Sequence, residues 1–131
     1  MTDTLSQQWL NRAEEDLAVA RLVLDEEYPA HACFLSQQCV EKALKAFLLA
    51  TINSYPRTHK VVDLLGECQR VEPEFNRFLS DALVIDQYYI PTRYPDGIPG
   101  GTSGGLPDFT EAKEAVSIAE ELFGFVKSQT S

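Results

Sequence analysis

The sequence predicts an all-α protein, an up-and-down bundle of four long helices plus one short helix. Apolar residues recur at steps of three and four along most of the chain, and no segment alternates as a β-strand would. Prolines and capping residues mark where helices would begin, and most links between periodic segments are short. With 131 residues, the chain has the size of one domain, so residues 1–131 are expected to form a single bundle.

The first two predicted helices form the centre of this bundle. The first covers Leu5 to Glu26, and the second runs from about Ala30 to Ile52, with Pro29 suited to its first turn. The second helix is the most apolar segment of the chain, with apolar residues around most of its girth. We therefore expect it to be buried on several sides, by its own bundle and by a second subunit in a dimer.

Three more helices follow. Thr58 is a plausible N-cap for a short third helix, and Pro73 suits the first turn of a fourth helix that ends near Tyr88-Tyr89. Asp108 and Glu111 have the spacing of a capping box, which predicts the start of the last helix.

A different composition marks residues 91–107, which hold five of the seven glycines and four of the seven prolines. Such a segment predicts an irregular loop rather than a helix. A phosphate-binding P-loop would need a preceding strand and a lysine before the helix, and this loop has neither.

The overall composition excludes several classes of protein. The chain carries 20 acidic and 11 basic residues, a net charge of −9, which argues against a protein that coats nucleic acid by charge alone. No apolar run reaches the roughly 18–20 residues of a membrane span, and the N-terminus does not resemble a secretory signal. Three cysteines without paired spacing are typical of a reduced, cytoplasmic protein.

Metal and thiol chemistry find little support in the sequence. The chain lacks the CxxC and HExxH patterns, and its two histidines and three cysteines have no shared ligand spacing, so we expect no metal and no cofactor. Cys33 and Cys39 lie in the most apolar helix, where burial would raise the thiol pKa and leave both residues unreactive.

Two sets of polar residues are candidates for a binding site. Gln38, Glu41, Lys42 and Lys45 fall at i, i+3, i+4 and i+7 of the second helix, so they form one stripe. This stripe is either the solvent face of the helix or the border of a groove. Glu41 and Lys45 also have the spacing of an i,i+4 ion pair, which at a helix surface contributes a few tenths of a kcal/mol.

Arg57, His59, Arg93 and Tyr94 form the second set, in connectors where recognition residues tend to lie. Arginine can hold a phosphate with a two-pronged fork, and histidine can transfer protons near neutral pH. These residues suit a nucleotide-binding or RNA-cleaving site. The alternative is structural: Arg57 and His59 start the third helix, and Arg93 pairs with an acid such as Asp96.

Three segments, in this order, resemble the HEPN family (higher eukaryote and prokaryote nucleotide-binding domain). The segments are Trp9 with Ala13-Glu14-Glu15-Asp16-Leu17 and Ala20; Cys33 to Ala46, containing Gln-Gln-x-x-Glu-Lys-x-x-Lys and followed by Tyr55 to Lys60 and Leu64-Leu65; and Tyr88 to Asp96. The resemblance covers nearly the whole chain, and its motifs are specific as an ordered set rather than singly.

The resemblance implies an all-α bundle that forms a homodimer. It also implies a partner, since stand-alone prokaryotic members are often encoded beside a minimal nucleotidyltransferase in a toxin–antitoxin-like pair. Many members are metal-independent ribonucleases whose site has an arginine four to six residues before a histidine. Neither His59 nor His31 has that arginine; the residues at those positions are Asn53, Ser54 and Tyr55, and Asp25, Glu26 and Glu27.

Two functional hypotheses follow from this comparison. The first is a non-catalytic binding module that engages the nucleotidyltransferase and a nucleotide, with no catalytic residues. Its ligand- or partner-binding residues would be those of the two sets: Gln38, Glu41, Lys42, Lys45, Arg57, His59, Arg93 and Tyr94. The alternative is an atypical metal-independent ribonuclease that uses Arg57, His59 and Arg93, with His59 as the acid and base.

Overall fold

A computed structural model describes residues 4–89 and 106–130, where every regular element is a helix. The elements are α1 (Leu5–Asp25), α2 (Pro29–Ile52), α3 (Val61–Val71), a 3₁₀ helix (Pro73–Phe78), α4 (Leu79–Asp86) and α5 (Phe109–Thr130). The predicted all-α class is confirmed. Most of the predicted loop at 91–107, with Arg93 and Tyr94, lies outside the described residues.

The predicted fourth long helix consists of two shorter pieces. Pro73 lies in the first turn, as expected, but the first six residues form a 3₁₀ helix, and the eight residues of α4 follow. Helix α4 ends at Asp86, two residues before Tyr88, close to the predicted end near Tyr88-Tyr89. The next residues continue as a turn, in which the Tyr88 N–H donates to the carbonyl of Ile85 at 3.0 Å.

Three other helix starts have the capping chemistry that their sequences suggest. Thr4 and Gln7 form a capping box at α1, and Pro29 occupies the first turn of α2. At α5 the predicted box is confirmed: Asp108 Oδ1 accepts from the Glu111 N–H at 2.8 Å, and the Asp108 N–H donates to Glu111 Oε1 at 3.2 Å.

The prediction that Thr58 is the N-cap of the third helix is wrong. Helix α3 begins at Val61, and the Thr58 hydroxyl accepts a hydrogen bond from the Lys60 N–H in the preceding turn. The first two amides of α3 instead donate to Asp86, Val61 to Oδ1 at 2.6 Å and Val62 to Oδ2 at 3.0 Å. A carboxylate from a distant helix therefore caps α3.

Helix α2 lies at the centre of the bundle and packs against α1, α3, α4 and α5. The rings of Phe47, Phe75 and Phe125 meet edge to face in the core, with neighbouring centroids 4.7 and 4.9 Å apart. Most apolar side chains of α2 are thus buried within one chain. None of the described helices is long and apolar enough to cross a membrane.

Candidate functional site

Glu41 and Lys45 form a buried ion pair on α2. Lys45 Nζ lies 2.8 Å from Glu41 Oε2, and the side chains of Lys45 and Glu41 are only 8% and 6% exposed. The spacing of four residues places both on one helix face, as predicted. The interpretation of the stripe as a solvent face is wrong for these two residues, because α1 and the connector after α2 cover them.

Gln37 extends this pair into a hydrogen-bonded cluster. Its side chain is fully buried, and its Nε2 donates to Glu41 Oε1 at 3.0 Å and to the backbone carbonyl of His59 at 3.3 Å. Gln38 Nε2 in turn donates to Gln37 Oε1 at 2.7 Å. Gln37 was not among the predicted site residues, although its position four residues before Glu41 on an apolar helix is a signal that could have found it.

His59 reaches the cluster from the connector between α2 and α3. Its Nδ1 lies 3.0 Å from Glu41 Oε2, and its ring stacks on Tyr89 with centroids 4.7 Å apart and an interplanar angle of 11°. The His59 side chain remains 60% exposed. Glu41 therefore holds the Nδ1 side of the imidazole and Tyr89 covers one face, while much of the ring remains open to solvent.

The charge of Glu41 follows from its partners. Burial alone would raise the pKa of this carboxyl, but hydrogen bonds from Lys45, Gln37 and His59 outweigh burial and hold the pKa below its usual value. Glu41 is thus a carboxylate at neutral pH, and a carboxylate only accepts hydrogen bonds. It follows that Nδ1 of His59 carries the hydrogen of the bond between them.

Two aromatic rings surround the ammonium group of Lys45. Its Nζ lies 5.5 Å from the centroid of Trp9 and 5.3 Å from that of Tyr55, both within the range of a cation–π contact. The two rings also meet edge to face, with centroids 6.0 Å apart. Lys45 therefore contacts both Tyr55 of the connector and Trp9 of helix α1.

An open groove of about 540 Å³ borders this cluster. Its lining residues are Lys45, Leu49, Asn53, Ser54, Tyr55, Arg57, Thr58 and His59. Lys45 is neutralised by Glu41, whereas Arg57 is exposed and forms no ion pair within residues 4–89 and 106–130. The structure thus brings Arg57 and His59 to one groove, as a binding site would require.

Lys42 lies apart from the other three residues of the stripe. Its Nζ pairs with Asp16 Oδ2 at 2.7 Å, both side chains are about a fifth exposed, and the residue lines a separate groove with Trp9 and Arg12. Lys42 therefore fastens α2 to α1, whereas Gln38, Glu41 and Lys45 belong to the His59 cluster.

The cysteines are buried and free. Burial raises the pKa of Cys33 and of Cys39 to about 12, as the sequence predicted, and burial also raises the pKa of Cys68. In the part of the chain that the structure describes, no three His, Cys, Asp or Glu side chains come together as metal ligands would.

Comparison with known proteins places this architecture in a family. The model of the HEPN domain matches residues 6–129. A Methanocaldococcus jannaschii protein named Putative toxin MJ1304 is 28% identical over 128 residues, which cover 91% of this chain and 84% of that protein.

Solved structures have the same fold. ST0689, an archaeal HEPN homologue, is 32% identical with a TM-score of 0.78, covering 98% of this chain and 100% of its own. TT1696 from Thermus thermophilus is 35% identical with a TM-score of 0.79, covering 94% of this chain and 96% of its own. Because the family model spans nearly the whole chain and these relatives share its fold, the chain belongs to the HEPN domain family.

Proposed function

We propose that this chain is a non-catalytic HEPN-type binding module that binds a nucleotide in the groove beside His59. The observation that carries the proposal is the placement of Arg57, His59 and Tyr55 around one open groove. A guanidinium and an imidazole are suitable partners for a phosphate, and a tyrosine ring offers a face for a base. The volume of about 540 Å³ is within the range of small-molecule sites.

The distribution of charge favours a small anion over a long polyanion. The chain has a net charge of −9, so most of its surface would repel an extended nucleic acid. Within the groove, Glu41 neutralises Lys45, which leaves Arg57 and His59 as the groups that can meet a phosphate. We therefore expect the affinity for a mononucleotide to depend mainly on these two side chains.

The proposal includes a partner. The module would act as a homodimer beside a minimal nucleotidyltransferase, in a toxin–antitoxin-like pair. Membership of the HEPN family and the name of the Methanocaldococcus relative support a two-component role. Large apolar side chains on the surface, among them Leu22 on α1 and Leu83 on α4, each 60% exposed, offer area that such contacts could bury.

Calorimetric titration with AMP and with ATP tests the nucleotide site. Wild-type protein should bind at least one of them, and Arg57→Ala should weaken binding about tenfold or more, since a hydrogen bond to a charged group contributes about 1.5–3 kcal/mol. Arg70→Ala is the matched control, because Arg70 is exposed on α3 and pairs with Glu67. Equal affinities of the two variants, or no binding to wild type, would contradict the nucleotide site.

One observation favours the alternative, an atypical metal-independent ribonuclease that uses Arg57, His59 and Arg93. A carboxylate behind Nδ1 of a partly exposed histidine is the arrangement of many acid–base histidines, since it leaves Nε2 available for proton transfer. A cleavage assay on RNA in the presence of EDTA decides between them. The binding module predicts no cleavage above background; cleavage that His59→Ala and Arg57→Ala abolish would replace it with the ribonuclease.

A further inference from the structure

We infer that Gln37 and Glu41 are positioning residues that fix the hydrogen of His59 on Nδ1 and thereby present Nε2 to the ligand. The inference deepens the proposed nucleotide site and rests on it for its function. The hold of Gln37 and Glu41 on the imidazole of His59 does not itself require a ligand.

Both carboxylate oxygens of Glu41 are engaged. Oε1 accepts from Gln37, and Oε2 accepts from both Lys45 and His59. A carboxylate with three donors and 6% exposure has little freedom to rotate away from the imidazole. Glu41 therefore provides a fixed acceptor opposite Nδ1.

The orientation of the Gln37 amide follows from its neighbours. An amide could present either its oxygen or its nitrogen to Glu41, and only the nitrogen donates. Gln38 Nε2 donates to Gln37 Oε1 at 2.7 Å, so the oxygen is taken up on the side away from Glu41. The Gln37 nitrogen is left to bridge Glu41 Oε1 and the carbonyl of His59.

Gln37 contacts both partners of the Glu41–His59 hydrogen bond. Its Nε2 donates both to the carboxylate of Glu41 and to the backbone carbonyl of His59, the residue whose ring contacts Glu41. The stack on Tyr89 fixes the plane of the ring from another side. Position, plane and hydrogen of the imidazole are thus all set before a ligand arrives.

With Nδ1 bound to Glu41, Nε2 is the ring nitrogen of His59 that can interact with a ligand. In the neutral ring this nitrogen has the lone pair and can accept a hydrogen from a ligand hydroxyl; in the charged ring it donates to a phosphate oxygen. Within the described residues Nε2 of His59 has no hydrogen-bond partner in the protein. The nitrogen that meets the nucleotide is therefore Nε2, and Gln37 affects binding only through its hold on Glu41 and His59.

Nuclear magnetic resonance of the ¹⁵N-labelled imidazoles, at about pH 8 where an ordinary histidine is neutral, tests the inference. Wild-type His59 should show the Nδ1–H form, although free histidine favours the hydrogen on Nε2. Gln37→Leu should shift His59 toward the Nε2–H form or a mixture. Ser36→Ala is the matched control, because Ser36 is buried next to Gln37 and its hydroxyl has no hydrogen-bond partner within the described residues.

A second variant keeps the test decisive if Gln37→Leu does not fold. Gln38→Leu removes the bond that orients the Gln37 amide, lies at a partly exposed position, and should also reduce the share of the Nδ1–H form. Nε2–H as the main wild-type form, or no change in a folded Gln37→Leu or Gln38→Leu variant, would overturn the inference. The spectra need no ligand, so absence of AMP binding beside an Nδ1–H ring would defeat the proposed function alone.

Discussion

At the scale of single residues, Glu41 determines both the charge and the geometry of the site. It neutralises a buried lysine, accepts from a buried glutamine and holds the ring of His59. Removing one partner of a buried ion pair typically costs about 3–5 kcal/mol, because the other charge is left uncompensated. The same carboxylate thus links the stability of the bundle to the form of the proposed ligand group.

A dependence on pH follows from the lowered pKa of Glu41. Because the folded pKa lies below the ordinary value of 4.5, ionised Glu41 stabilises the fold above that pH, and this stabilisation is lost as pH falls through the folded pKa. The Glu41→Gln variant lacks the stabilisation that ionised Glu41 provides. The difference in unfolding free energy between wild type and this variant should therefore shrink below pH 4.5.

Urea denaturation of both proteins across a range of pH measures that difference. Glu15→Gln is a suitable control, because Glu15 is exposed on α1 and pairs with Arg12 at the surface. The control should stay close to wild type at every pH. A gap between wild type and Glu41→Gln that stays constant as the solution is acidified would count against the assigned role of the carboxylate.

The sequence could predict part of this site and not the rest. Gln37, Glu41 and Lys45 follow one another at steps of four along one helix. The sequence pattern alone therefore predicts that they share a helix face. The burial of that face depends on Trp9 and Tyr55, which belong to other segments of the chain. Contacts of this kind arise from tertiary packing and leave no local signal.

At the scale of elements, the start of α3 depends on a residue of α4. Asp86 accepts hydrogen bonds from the first two amides of α3, and burial raises the pKa of this carboxyl although those amides oppose the shift. Thr58 was the better candidate by sequence because it precedes the helix. The prediction that Thr58 caps α3 failed because a capping group need not be close in sequence when folding brings an acceptor to the helix end.

Asp86→Ala should therefore lower the free energy of unfolding by about 1–2 kcal/mol, the usual effect of removing a capping side chain. Chemical denaturation measures it. Asp25→Ala, at an exposed position at the end of α1, should change stability by less than about 0.5 kcal/mol. Equal effects of the two substitutions would show that Asp86 is not the cap of α3.

At the scale of the whole molecule, α2 is the element on which the others pack. The periodicity of apolar residues was enough to predict the all-α class and the place of α2 in the core, because both follow from burying one continuous apolar surface. The division of the fourth helix was not predicted, since apolar spacing over a few residues does not distinguish a 3₁₀ turn from an α-helical one.

Phe47 gives the direct test of that core. Its ring is 2% exposed and contacts Phe75, so Phe47→Ala should destabilise the protein by about 3–5 kcal/mol in thermal or chemical unfolding. Glu15→Ala, at an exposed position of α1, should have little effect. A cost below about 1 kcal/mol for Phe47→Ala would contradict the central position of α2.

The function proposed for the whole molecule is a binding module with a partner. Gentle affinity purification of the tagged chain from its own host, with the mass of the complex from light scattering and the co-eluting proteins identified by mass spectrometry, tests it most directly. We expect a dimer that co-elutes with a minimal nucleotidyltransferase. A strictly monomeric chain that retains no such partner would contradict it.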